Sequence, residues 1–219
     1  MIRRLLSALA AGSFALSLAV ATAPAALAPQ PYTVINPPIP TDSPSGKIEV
    51  VEFFWYECPH CYDLEPVLEK WVAKLPQDVE FRRVPATFNE RWNISARVFY
   101  ALEAMGLLAK LHKPLFDAIH KDRLKVTNQR QLLDWLERQK VDVGKFNAAF
   151  KSFAVESRLK RALELTQASK IESVPVLMVN GRYLVSADMA KGEGRMLNIV
   201  DSLVDQSRKP TTSAAPKKK

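Results

Sequence analysis

Val50-Val51-Glu52-Phe53-Phe54-Trp55-Tyr56-Glu57-Cys58-Pro59-His60-Cys61 decides how the rest of this chain is read. The apolar run ends on a cysteine pair two residues apart, and these are the only 2 cysteines of the 219 residues. A strand that runs into a helix carrying Cys-x-x-Cys at its first turn is the setting in which such a pair does redox chemistry. A bridge over so short a loop removes little entropy from the unfolded chain, so fastening the fold is a poor reason to keep it. The pair is read as one that opens and closes.

Cys58 would sit at a helix N-terminus, where unpaired N–H groups and the positive end of the macrodipole favour an anion. An ordinary thiol has a pKa near 8.5, so stabilising the thiolate favours the reduced protein and makes the disulfide more oxidising. Pro59 rigidifies the turn, and His60 adds a donor or a positive charge beside the sulfur. Cys58 is therefore the attacked sulfur, and Cys61, one turn deeper, is the resolving thiol. Zinc is the rival use of the pair, but it wants four ligands. Only His112 and His120 lie outside the motif, and both are read as solvent-facing helix residues, so no metal and no cofactor are expected.

Working outward, Ile48 to Tyr56 suits a strand buried on both faces. Leu64, Val67, Leu68, Trp71, Val72 and Leu75 follow at helical spacing, with Pro66 expected to kink the helix. Val79 to Val84 reads as a second strand. From Asn89 to Lys170 the pattern is helical almost throughout, with Thr127 and Asp142 as N-caps of two of the runs. Strand character returns at Val174 to Val179, then Asn180-Gly181 gives a two-residue hairpin signal before Arg182 to Val185. Met196, Ile199, Val200 and Leu203 mark a last helix. The order βαβ, helical insert, ββα predicts an α/β protein: a thioredoxin fold whose two parts, 47–88 and 171–206, flank an inserted helical subdomain at 89–170.

Three further residues join the site. Pro175, after Val174, either opens a strand for ordinary reasons or makes a cis Val174-Pro175 bond that turns backbone toward Cys58 and an extended substrate. Glu52 either reaches water at a sheet edge or is a buried acid of raised pKa serving Cys61. Glu57 is read as a loop residue beside the site and Glu65 as a solvated helix residue.

The ends carry different information. Met1-Ile2-Arg3-Arg4, an apolar stretch from Leu5 to Val20, and Ala26-Leu27-Ala28 read as a cleavable signal over residues 1–28. A membrane anchor is the alternative, but Pro24, Pro29 and Pro31 interrupt it. Export leads to an oxidising compartment, taken as the periplasm, where a cysteine pair can be held as a disulfide. Residues 29–46 read as an extended lead-in, with Tyr32 to Ile35 as a short edge strand, and residues 207–219 as a disordered basic tail. The formal charge is +8, but of 31 basic residues two fall in the leader and five in the tail, which leaves 24 against 23 acidic. A near-neutral body excludes a dedicated nucleic-acid surface.

Glu52-Phe53-Phe54, Cys58-Pro59-His60-Cys61-Tyr62, Val174-Pro175 and Val179-Asn180-Gly181 together resemble the DsbA family of periplasmic thiol-disulfide oxidoreductases, over residues 45 to 206. The resemblance implies a soluble monomer that gives its disulfide to newly exported proteins and is reoxidised by a DsbB-like, quinone-linked membrane protein. It implies Cys58 as nucleophile, Cys61 as buried partner, His60 as thiolate stabiliser, Glu52 as buried acid and Pro175 as cis-proline. Glu57 departs from the apolar residue expected before the first cysteine and is expected to moderate oxidising strength. A disulfide isomerase or pathway-specific reductase is the second reading, and a non-catalytic module that binds unfolded chains is the third.

Overall fold

A computed structural model describes residues 30–208. The signal at 1–28 and all but two residues of the tail at 207–219 lie outside the described residues.

In chain order the elements are β1 (Thr33–Val34), β2 (Ile48–Phe54), α1 (Pro59–Val72), β3 (Val79–Pro85), α2 (Glu90–Ala104), α3 (Leu108–His120), α4 (Gln129–Arg138), α5 (Val143–Phe150), α6 (Phe153–Ser169), β4 (Val176–Val179), β5 (Tyr183–Ser186), α7 (Ala187–Ala190) and α8 (Glu193–Arg208). The strands form one sheet in the order β1-β5-β4-β2-β3. β2 pairs parallel with β3 and antiparallel with β4, and β5 pairs antiparallel with both β4 and β1.

β2 reads as a continuous apolar run because it has neighbours on both edges and layers on both faces. Ile48 and Val50 pack with Leu64 and Leu68 of α1 and with Met196, Val200 and Leu203 of α8. Val51 and Phe53 face the other way, into a cluster that includes Phe99 of α2 and Phe116 of α3. Each such fully buried side chain contributes about 1.5–3 kcal/mol relative to exposure. The packing fixes the height at which β2 ends, and so where Cys58 begins α1.

Five helices lie between β3 and β4, and side-chain caps start four of them. Asn89, Asn128, Asp142 and Ser152 accept from the N–H groups of Trp92, Gln131, Lys145 and Val155. Asp142 caps as the sequence predicts, whereas α4 is capped by Asn128 and not Thr127. Both are capping types, but the buried stripe Leu132, Trp135 and Leu136 sets the helix register one residue later. α1 continues unbroken through Pro66, which is exposed.

Both ends of the described chain are built into the fold, the lead-in through the edge strand that the sequence predicts. Arg208 closes α8, and its guanidinium donates to both carboxylate oxygens of Asp78, at 2.7 and 3.0 Å, so the tail begins later than the sequence suggests. The lead-in crosses the edge of the sheet: β1 pairs with β5, Ile35 N–H donates to Arg182 O at 2.7 Å and Ile39 N–H to Gly181 O at 2.9 Å. Asp42 then meets Arg82 at 3.1 Å and Arg161 at 2.8 Å.

The Asn180-Gly181 turn has φ of 50° and 62°, the pair of left-handed conformations that a tight hairpin turn requires. Gly181 is needed twice over, because a Cβ there would lie 1.9 Å from Ile39 O. Gly181→Ala is therefore expected to lower stability by at least about 2 kcal/mol, combining backbone strain with displacement of the lead-in. Urea unfolding checks this, and an unchanged midpoint would show that the lead-in does not bear on the hairpin.

Candidate active site

The first turn of α1 is built around sulfur. Cys58 occupies the N-cap in extended conformation, φ −84° and ψ 118°, and its Sγ accepts the N–H of Cys61 at 3.4 Å. Pro59 follows at the first helical position, where its missing N–H costs nothing. The Cys58 thiol also lies 3.5 Å from the carbonyl of Val174, to which it donates. Cys58 is 6 % exposed and Cys61 0 %, so only the first sulfur meets an incoming group.

The two sulfurs are not bonded to each other, and their acidities are driven apart. The Cys58 pKa falls to about 6. The largest cause is the Cys61 thiol donating to it. Burial opposes the shift, and the N–H groups of Cys61 and His60 and the charge of His60 add to it. Cys61 is pushed well above the ordinary thiol range, first by burial, then by its bond to Cys58, the Cys58 charge and the charge of Glu52. His60 itself is exposed at the rim.

The Val174-Pro175 bond is cis, and the Val174 carbonyl stands over the first cysteine from the loop before β4. Glu52 points inward and not to a sheet edge. Register with β3 sets it opposite Arg83, with Oε2 3.1 Å from Arg83 Nε. The approach is an ion contact without hydrogen-bond alignment, and neither Glu52 oxygen accepts a hydrogen bond. Burial outweighs Arg83 and lifts the Glu52 pKa to about 8.

Three expectations are corrected behind this turn. Glu65 is 3 % exposed, not solvated, and accepts from Arg83 Nη2 at 2.9 Å. Its spacing of four residues from Cys61 puts both on the buried face of α1. His112 is 6 % exposed, not solvent-facing: its Nδ1 lies 2.8 Å from Tyr56 Oη and its Nε2 3.5 Å from Glu65 Oε1. His120 is half-buried, stacks on Tyr62, and donates from Nε2 to Tyr56 O at 2.8 Å. Two histidines of one helix thus hold Tyr56 at its hydroxyl and its carbonyl, two residues before Cys58. Glu57, the loop residue, is ion-paired with Arg91, which donates to Oε2 from Nε at 2.9 Å and from Nη2. The pairing screens the charge expected to weaken the oxidant.

A cavity of about 680 Å³ lies between the lead-in at Thr33–Pro40 and Ala168–Ser173, and neither cysteine lines it. The chemistry belongs to the turn, not to a deep pocket. Among the described residues no helix is long and apolar enough to cross a membrane.

Comparison with known proteins gives the same site an ancestry. The family described as DSBA-like thioredoxin domain matches residues 49–204. The chain belongs to that family. The thiol:disulfide interchange protein DsbA of Azotobacter vinelandii is 44 % identical over 177 residues, 81 % of this chain and 82 % of that protein. The protein of the same name from Bordetella pertussis is 40 % identical over 207 residues, 94 % and 97 % of the two chains. Among solved structures, Pseudomonas aeruginosa DsbA is similar with a TM-score of 0.78 at 39 % identity, covering 81 % of this chain and 92 % of that one. DsbA from Xylella fastidiosa gives 0.75 at 33 % identity, covering 81 % and 95 %.

As a DSBA-like protein the chain is an α/β thiol-disulfide oxidoreductase with the thioredoxin fold, as the sequence predicts. The structure brings Cys58, Pro59, His60, Cys61, Val174, Pro175 and Glu52 to one end of the sheet. Arg83, Glu65, His112 and Tyr56 complete the site and are absent from the sequence-based set. The alkylation rate of Cys58 should titrate with a midpoint near pH 6, which Cys61→Ala raises more than His60→Ser, because the Cys61 thiol is the larger cause. A larger shift from His60→Ser would show that side-chain charge, and not the local hydrogen bonds, sets the thiolate.

Proposed function

We propose that the chain oxidises cysteine-containing proteins after their export, acting in the periplasm behind the leader at residues 1–28. The observation that carries this reading is Cys58 at the N-cap of α1, the more exposed of two sulfurs and the one whose negative charge is favoured. A client thiolate attacks Cys58 Sγ of the disulfide form, and the electron pair of the broken bond leaves on Cys61. Cys61 favours the neutral thiol, so it needs a proton, and Glu52 is the buried acid able to supply one. A second client thiolate then attacks the client sulfur held on Cys58, and Cys58 leaves as a thiolate. Two electrons have passed to the cysteine pair, and the client holds the disulfide. Val174 and Pro175 offer the backbone edge on which an extended client lies, and His60 borders it.

The reduced protein is returned to its disulfide form by a DsbB-like, quinone-linked membrane protein. The chain needs no cofactor of its own, since the two sulfurs carry both electrons.

The energetics have a definite direction. A thiol pKa depressed to about 6 stabilises the reduced fold fully above the ordinary value near 8.5 and loses that contribution as pH falls through 6. At pH 7 the gain is at most about 1.4 kcal/mol, equivalent to about 30 mV in a two-electron couple. The melting temperature of the reduced protein relative to the oxidised one should therefore rise from pH 5 to pH 8, as differential scanning calorimetry can read. A gap that widens toward acid pH would contradict the thiolate assignment.

Equilibration with glutathione tests the reading as a whole. The Cys58–Cys61 bond is expected to be reduced far more readily than a structural disulfide, whose potential lies below about −300 mV. Cys61→Ala should accumulate mixed disulfides with exported proteins through Cys58, identifiable by mass spectrometry, and Cys58→Ala should lose all activity in cells. Full activity in Cys58→Ala would instead favour a module that only binds unfolded chains.

A further inference from the structure

The buried polar group behind Cys61 holds one permanent cation and more carboxyl groups than that cation can neutralise. Arg83 meets Glu52 through Nε at 3.1 Å, and Glu65 and Glu69 through Nη2 at 2.9 and 2.5 Å. Glu69 reaches solvent, with its side chain 54 % exposed, whereas Glu52 and Glu65 are buried. Two buried carboxylates around one guanidinium repel each other, so one of them retains a proton near neutral pH. Hydrogen bonding decides which. Glu65 accepts a hydrogen bond from Arg83 Nη2 at 2.9 Å and has His112 Nε2 3.5 Å away, whereas Glu52 has only the unaligned Arg83 Nε contact at 3.1 Å.

The ring of His112 is oriented by its other nitrogen. Glu65, bonded to Arg83 as a carboxylate, can only accept, so the ring proton belongs on the nitrogen that faces it, and Nδ1 accepts from the Tyr56 hydroxyl at 2.8 Å. The proton-bearing nitrogen is then Nε2, which stands 3.5 Å from Glu65 Oε1 without hydrogen-bond alignment. The charged groups facing this ring are Glu65 and Glu69 from α1, with Arg83 of β3 and Glu52 of β2 behind them. The remaining neighbours are aromatic: Phe54 from β2, Phe99 from α2 and Phe116 from α3. Glu103 of α2 is held by Arg158, and Lys113 of α3 turns away to Asp117.

We propose that His112 is a positioning residue for the exchange reaction: its Nε2–H holds Glu65 as the buried anion and so leaves the one buried proton on Glu52, the carboxyl that serves Cys61. The inference rests on the assignment of Glu52 as the acid in the preceding subsection. When a client sulfur bonds to Cys58 and the Cys58–Cys61 bond breaks, its electron pair goes to Cys61 and the Glu52 proton follows. Glu52 is left as a carboxylate and is reprotonated from solvent. Without the His112 donor, Glu65 competes for the proton and Arg83 turns its charge to Glu52, which is then ionised at the pH where an acid is needed.

The test uses the full chain in its disulfide form, mixed with an excess of a peptide carrying a single cysteine, so that only opening of the Cys58–Cys61 bond is read. The opening rate per peptide thiolate, followed by quenching and alkylation of Cys61, is expected to fall with a midpoint near pH 8 as Glu52 ionises. Glu52→Gln should abolish that inflection. In His112→Asn the amide keeps an acceptor for Tyr56 but does not reach Glu65, and the midpoint should drop by about one pH unit, a tenfold weaker hold on the proton. His112→Gln, whose amide N–H reaches the Glu65 side, should restore it. His112→Asn should add no further shift in a Glu65→Gln background, because His112 acts through Glu65. If Glu52→Gln keeps the wild-type profile, the acid assignment itself fails. If Glu52→Gln flattens the profile while His112→Asn leaves the midpoint in place, the role of His112 is overturned and the acid stands. Nitrogen-15 NMR of the wild-type protein needs no variant: an Nε2–H tautomer at His112 supports the proposal, and an Nδ1–H tautomer overturns it.

Discussion

Desolvation acts unequally on two sulfurs one helical turn apart, and the rest of the structure holds that inequality in place. Both cysteines are largely removed from water, which disfavours a thiolate at either position. At the N-cap the Cys61 thiol offsets the loss most, and backbone N–H groups that have no partner within the helix add to it. At Cys61 nothing of comparable size offsets it. The direction of electron flow thus follows from where β2 stops and α1 starts. That point is set by a strand buried on both faces, by the Val174 carbonyl above the sulfur, and by two histidines that hold Tyr56 from α3.

The ionisable residues behind the turn are poorly explained as contributors to stability. A buried ion pair returns little beyond its desolvation cost, and apolar replacements of similar volume are often neutral or stabilising. Glu52 is worse than neutral: with its pKa near 8, it destabilises the fold increasingly as pH rises from the ordinary carboxyl range toward 8. A group that lowers stability at working pH, sits on an interior strand and shifts the acidity of Cys61 is better explained by chemistry than by packing. Arg83 makes it tolerable, since without a cation Glu52 and Glu65 would leave two carboxyl groups in the interior with no counter-charge.

The parts of the fold legible in the sequence are those that local physics determines. A strand covered on both faces has to be apolar throughout, the Asn180-Gly181 turn has to carry positive φ, and a cysteine pair after such a strand has to start a helix. The proton-handling residues were harder to read because their partners come from other elements. Arg83 reaches Glu52 only through the β2–β3 register, which a single strand does not reveal. Glu65 and His112 did leave a signal. Cys61, Leu64, Glu65 and Leu68 are the buried residues of α1, and Leu111, His112, Leu115, Phe116 and Ile119 lie on the buried side of α3. Both polar residues fall inside an apolar stripe of helical period, and a charged type at such a position is a candidate for a buried partnership and not for solvation.

Glu57 shows the converse, a charge beside the nucleophile whose counter-charge comes from another element. One residue before the nucleophile, an isolated carboxylate would raise the thiol pKa by like-charge repulsion. Arg91, 34 residues later on α2, donates to it twice and lies 5.2 Å over the ring of Trp55, which in turn stacks on Trp92 at 4.1 Å. The guanidinium cancels the field close to its source, and Glu57 is not among the main influences on Cys58. The thiolate is therefore governed by groups the chain cannot easily lose, backbone N–H donors and the second cysteine, while the residues around it can vary in charge provided each brings its own counterion. That separation explains how an acidic residue can stand beside the nucleophile without reversing the bias that the first turn of α1 creates.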